Sequence, residues 1–128
     1  MMPSPFGRMR DSQVTRTATC ACGQLSVTCT GEPALVSLCH CRDCQLRTGS
    51  AFGVAAFFRA EEVTPRGDAR RWERVADSGY RIAFHFCPVC GSTVYWEPER
   101  KVGMVAVALG AFADPSFPAP VRTVYTEH

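Results

Sequence analysis

Short windows of alternating hydrophobic and polar residues dominate this chain, and few stretches carry a helical period. Residues 24–30 set Leu25, Val27 and Cys29 on one face and polar side chains on the other, which predicts a half-buried strand. Gly31, Glu32 and Pro33 turn the chain, and residues 34–38 predict a short strand that delivers Cys39. After Cys44, residues 45–48 fit one or two helical turns stopped by Gly49 in a C-cap role. Residues 52–58 are apolar throughout, as in a strand buried on both faces. Residues 59–78 are charged and irregular, and read as turns with short strands around Val63 and Trp72. Alternation returns at 80–86, with Tyr80, Ile82, Phe84 and Phe86 facing one way and Arg81, Ala83 and a solvated His85 the other. Residues 92–96 predict its partner strand, 97–101 a turn and 104–109 another apolar strand. A proline-rich stretch at 113–120 precedes a short strand at 121–125. Residues 1–17 are polar, proline-containing and aperiodic, and read as a flexible arm. The expected fold is mainly β with at most one or two short helices, in a single domain spanning 18–128.

Composition narrows the function classes. The chain has 128 residues, of which 46% are hydrophobic, enough for a core that needs no covalent staples. No run approaches the roughly 18 apolar residues of a membrane span. The formal net charge of +2 makes no whole-chain case for nucleic acid. Arg70, Arg71 and Arg74 cluster locally, but Asp68, Glu73 and Asp77 interleave with them, as on a solvated charged face.

The chemistry is concentrated in eight cysteines. Cys39, Cys41 and Cys44 lie in one short stretch, Cys39-His40-Cys41-Arg42-Asp43-Cys44. In extended backbone, Cys39 and Cys41 point to one side while His40 points away. If a helix follows, Cys44 returns toward the same point from its first turn. Cys20 and Cys22 form a C-x-C, and Cys87 and Cys90 a C-x-x-C; each pair is followed by glycine, Gly23 or Gly91. Glycine there lets the backbone turn through positive φ and aim amide protons at the sulfurs. Two pairs from distant parts of the chain make a closed four-thiolate site, and the other three thiols make an open one. Thiolate clusters select soft or borderline metals, with zinc the usual occupant. Cys29, on the apolar face of its strand, reads as core. An even number of cysteines also suits a secreted disulfide framework. Residues 1–10, however, hold no apolar stretch of the kind an export signal needs, so a cytoplasmic location is expected. Seven thiolates and two dications would bring the formal charge to about −1.

The motifs C-x-C-G, C-H-C-x-x-C followed by Thr48-Gly49-Ser50, F-C-P-x-C-G-S, and Leu109-Gly110-Ala111-Phe112-x-Asp114-Pro115 occur in this order. Together they resemble the glutathione-dependent formaldehyde-activating family, also described as the GFA or CENP-V domain, over roughly residues 19–115. The resemblance implies an Mss4-like, β-rich zinc fold. It places Cys20, Cys22, Cys87 and Cys90 on a structural zinc, and Cys39, Cys41 and Cys44 on a second zinc that binds the glutathione thiol. It also implies condensation of formaldehyde with glutathione to an S-hydroxymethyl adduct, formally a carbon–sulfur lyase reaction.

The residues agree with that chemistry. Coordination to zinc deprotonates a thiol near neutral pH, and three thiolates make the metal a poor Lewis acid toward a carbonyl. The metal is then better suited to orienting an exchangeable sulfur. His40 is either a proton shuttle between thiol and alkoxide or an ordinary surface histidine. Arg42 and Arg47 flank the open site, placed to meet glutathione carboxylates or simply exposed. Thr48 and Ser50 either donate hydrogen bonds to the substrate or cap the turn. Two function classes follow: a zinc enzyme handling a small thiol and an aldehyde, or a non-catalytic binding module with both metals structural. The odd thiol count around Cys39 favours the enzyme, because a module needs no open coordination position.

Overall fold

The structure, a computed structural model, describes residues 14–117 and the backbone of 122–124. Among the described residues, ten strands and one α-helix follow in order: β1 (Thr15–Thr19), β2 (Ser26–Thr30), β3 (Leu35–Cys39), α1 (Arg42–Thr48), β4 (Gly53–Arg59), β5 (Val63–Arg66), β6 (Arg70–Val75), β7 (Arg81–Phe86), β8 (Thr93–Pro98), β9 (Met104–Ala108) and β10 (Arg122–Val124). Short 3-10 turns at Ala60–Glu62 and Leu109–Phe112 connect them. The strands form a small sheet, β1-β2-β5, and a large one, β10-β3-β4-β9-β8-β7-β6. Pairing is antiparallel except between β10 and β3, where Val124 lies opposite Cys39. Among the described residues no helix is long and apolar enough to cross a membrane.

The large sheet is covered on both faces. One face, with the small sheet, builds a core of Leu25, Val27, Cys29, Val36, Phe58, Val94, Val105, Val107 and Phe112. The other carries Ala55, Phe84, Trp96 and Ala106, with the Arg47 side chain of α1 lying over Trp96. This explains the uninterrupted apolar run of β4, which is paired on both edges by β3 and β9 and buried on both sides. Cys29 is fully buried, as expected, and burial pushes its thiol up to about 12, with Glu62 adding to the shift.

Four sequence expectations need correction. Strand β1 begins at Thr15, inside the stretch read as an arm, and pairs along its length with β2. Its inward positions are Arg16 and Ala18, so no hydrophobic period marks it, although Ala18 is fully buried. Residues 1–13 of that stretch lie outside the described residues. Helix α1 starts at Arg42 rather than after Cys44, because the Cys41 side chain caps it by accepting from the Cys44 amide. His85 is not solvated: its Nε2 lies 2.7 Å from Glu97 Oε1, and its ring stacks on Tyr95 at 4.4 Å. Arg74 is not a free surface charge either, since it pairs with Asp43 at 3.1 Å and lies over the Phe84 ring. Of the expected strand at 121–125, residues 121 and 125 lie outside the described residues.

Gln24 ties the small sheet to the turn between β5 and β6. Its side-chain amide accepts from the Asp68 amide at 3.0 Å and donates to the Asp68 carbonyl at 2.6 Å. The chain can approach this closely only because residue 67 is glycine, at φ +95°; a Cβ there would run into the Gln24 carbonyl. Gly67→Ala therefore combines left-handed strain with a backbone clash, and is expected to cost roughly 3 kcal/mol. Urea unfolding checks this: the midpoint should fall with little change in slope.

Candidate metal centres and adjoining cavity

The first cysteine group joins two turns. Cys20 and Cys22 sit between β1 and β2, while Cys87 and Cys90 sit between β7 and β8. All four sulfurs lie within 4.8 Å of one another, with Cys20–Cys22 at 3.6 Å and Cys22–Cys87 at 3.7 Å. A disulfide would bring two sulfurs to about 2.05 Å. A tetrahedron with metal–sulfur bonds of about 2.3 Å instead has edges of about 3.8 Å. The sulfur set therefore has the dimensions of a metal site. Its outer hydrogen bonds are also in place: Leu25 N–H donates to Cys20 Sγ at 3.2 Å, Val89 N–H to Cys87 Sγ at 3.3 Å, and Gln24 Nε2 to Cys87 Sγ at 3.0 Å. Gly23 and Gly91 both take positive φ, as the turns require. Hydrogen bonding from Ser92, side chain first and then backbone, pulls the Cys90 thiol down to about 5.

The second group is built by a strand end and a helix start. Cys39 closes β3, Cys41 caps α1 in extended backbone, and Cys44 lies in the first helical turn. Their three sulfurs lie within 4.8 Å of one another. The Cys41 amide points at Cys39 Sγ at 3.5 Å, and the Cys44 amide at Cys41 Sγ at 3.4 Å. Burial pushes the Cys39 thiol up, and pushes Cys44 up to about 12 with help from Cys41. Burial also works against the Cys41 thiolate, but the Cys44 amide and thiol outweigh it and hold Cys41 below its ordinary value. Each group could hold a metal ion, and Cys29 belongs to neither.

A cavity of about 480 Å³ lies beside α1. Arg47, Thr48, Phe52 and Gly53 wall one part, Gly91, Ser92 and Thr93 another, and Leu109 and Gly110 a third. It thus adjoins the chain around both cysteine groups. Of the side chains singled out in the sequence, Arg47 and Thr48 line it. The Arg47 guanidinium lies 4.4 Å from the Trp96 ring centre and 5.7 Å from that of Phe84. Burial lowers its pKa, partly offset by the neighbouring Cys44. Thr48 Oγ1 donates to the Cys44 carbonyl at 2.9 Å and accepts from the Ser50 amide at 3.0 Å, so it finishes the helix as well as facing the cavity. Gly49 takes the left-handed C-cap, as its position indicated.

The other candidates stand apart. Arg42 and Ser50 are exposed and outside the cavity wall. The His40 ring packs on Phe52 at 5.5 Å, and its Nδ1 is buried without a hydrogen-bond partner among the described residues. Sequence reasoning missed Gln24 as a donor to Cys87, and Ser92, Thr93 and Gly53 as cavity wall. A signal existed for part of this, since Ser92 and Leu109-Gly110 stand in the recurrent motifs.

Comparison with known proteins agrees with the geometry. The family model for the glutathione-dependent formaldehyde-activating enzyme matches residues 15–128. No curated protein matches the chain significantly. A crystal structure of a Rhodobacter sphaeroides protein from a structural genomics programme is similar in fold, with a TM-score of 0.61 and 19% identity over 84% of this chain and 98% of that one. With two cysteine groups of metal-site dimensions on a mainly β fold, the chain belongs to the glutathione-dependent formaldehyde-activating enzyme family.

Proposed function

We propose that this chain binds two zinc ions and handles a small thiol together with an aldehyde. Glutathione and formaldehyde are the proposed pair, making or breaking the carbon–sulfur bond of an S-hydroxymethyl adduct. One observation carries this reading: an odd set of three sulfurs gathered at the start of the helix whose Arg47 and Thr48 wall a cavity. Cys20, Cys22, Cys87 and Cys90 are assigned to a closed structural site, and Cys39, Cys41 and Cys44 to an open one. With all eight cysteines as free thiols, the reducing cytoplasm is the proposed location.

A zinc ion in the second group would supply a thiol held as its thiolate near neutral pH. The chain's residues supply the rest. The cavity has the volume of a small-molecule site, and Arg47 gives its wall a positive charge suited to an anionic thiol. In the forward direction the sulfur adds to the aldehyde carbon and the carbonyl π pair moves onto oxygen. The proton lost by the thiol ends on that oxygen. His40 is the proposed carrier, because its Nδ1 has no partner among the described residues and its ring rests on Phe52 of the wall.

Metal analysis should find two zinc equivalents of unequal lability. Mild chelation should remove one and leave the β circular dichroism unchanged, whereas Cys87→Ser should lose most of the folded state. Loading the second group displaces the Cys44 proton from a thiol pushed up to about 12. Its apparent zinc affinity should therefore rise with pH, about tenfold per unit for each proton released, in competition titrations between pH 6 and 8. One equivalent at saturation, or loss of both together, contradicts the assignment.

Cobalt in the second group makes thiol binding visible as a gain in the sulfur-to-metal absorption band. Glutathione should produce that gain, and S-methylglutathione should bind far more weakly because it cannot become a thiolate. His40→Ala should leave the band unchanged while slowing adduct formation about 10²-fold or more. Equal affinity for the two peptides with no spectral change would leave a non-catalytic zinc-stabilised binding module.

A further inference from the structure

Arg47 is a charged group held in place beside the second cysteine group. It rises from the last turn of α1, lies over Trp96 and Phe84, and shares the space beside Gly53 with Cys44. Gly53 gives it room: a Cβ there would stand 2.9 Å from Arg47 Nη2 and 3.6 Å from Cys44 Cβ. The guanidinium and the ligand-bearing turn thus meet beside the same glycine, and a side chain there would crowd the guanidinium. Arg74 shares the Phe84 ring but is already paired with Asp43. Arg47 makes no ion pair with a carboxylate among the described residues.

Charge accounting shows what such a cation does. A dication held by three thiolates has a net charge of −1, and a fourth thiolate makes it −2. In a half-buried position that second negative charge is costly without a fixed counter-charge. A water molecule in the fourth position adds no charge and needs none. On the reading that the second group binds a thiol, we propose that Arg47 is its specificity-determining residue. Its fixed guanidinium balances the incoming sulfur and selects an anionic thiolate over neutral water. Recognition is then of the sulfur's charge, not of a carboxylate elsewhere on the ligand, so thiols without carboxylates benefit equally. Trp96 and Phe84 hold the planar group in place by stacking, so it need not be ordered when the ligand arrives.

The test uses the cobalt-loaded chain and two thiols, glutathione and the uncharged 2-mercaptoethanol, with dissociation constants read from the charge-transfer band. Arg47→Met should weaken both by a similar factor, about 10- to 100-fold. Arg47→Lys keeps the charge and should recover most of the loss for both. If Arg47→Met weakens glutathione but leaves 2-mercaptoethanol unchanged, Arg47 is a carboxylate clamp and the proposal is overturned. It is also overturned if the lysine variant binds both thiols as poorly as the methionine variant. If the unsubstituted chain binds neither thiol, the thiol-handling reading itself fails, and this assignment with it.

Discussion

The structure depends first on two turns meeting through sulfur. Cys22 and Cys87 are 65 residues apart in sequence, yet their sulfurs approach to 3.7 Å. One turn belongs to the small sheet and the other to the large sheet, so this junction fastens the two layers at one end. A metal bridging a loop of that length would restrict the unfolded chain by roughly 4 kcal/mol. The same junction reaches the cavity, because Gly91 and Ser92, directly after Cys90, form part of its wall. Ser92 Oγ also accepts from the Ala21 amide at 3.2 Å, so the two turns touch by hydrogen bond as well as by sulfur. The four-cysteine group and a space of small-molecule size therefore share a few residues of backbone.

The helix that carries Cys44 and is capped by Cys41 is held differently. None of its residues is buried, so it has no hydrophobic face to fix its position. Polar anchors do the work: Arg47 over Trp96, and Asp43 paired with Arg74 of the edge strand β6. A partly exposed ion pair is worth at most about 1 kcal/mol, whereas a desolvated cation on an indole reaches about 2. Arg47 is thus the stronger attachment. Placement of the second group and its electrostatics rest on the same side chain.

Much of this was legible in the sequence because it is local. The cysteine spacings, the all-apolar β4 and the Gly49 cap depend on neighbours within a few residues, where period and turn chemistry are informative. What escaped notice depends on strand pairing across the fold. Strand β1 hides because Arg16 takes an inward position, which it tolerates by reaching Glu32 at 3.3 Å and lying over the Phe117 ring. His85 alternates as an outward residue should, but the far side of its strand is occupied by Tyr95 and Glu97 of β8. The cavity joins segments around residues 50, 92 and 109, and no single window of sequence contains it.

Strand β6 lies at the end of the large sheet, paired only with β7 among the described strands. Its sequence, Arg70-Arg71-Trp72-Glu73-Arg74-Val75, has four charged positions out of six. An unpaired edge with that density of charge is a poor template for a strand from another molecule, which would bring like charges together at close spacing. The small sheet guards its β5 edge by another device, Pro65, which has no amide proton to offer. A protein rich in free thiols has particular need of such edges: molecules that stack strand to strand hold their cysteines together long enough to oxidise. Keeping the β5 and β6 borders inhospitable is, in that sense, part of keeping the sulfurs available for metal.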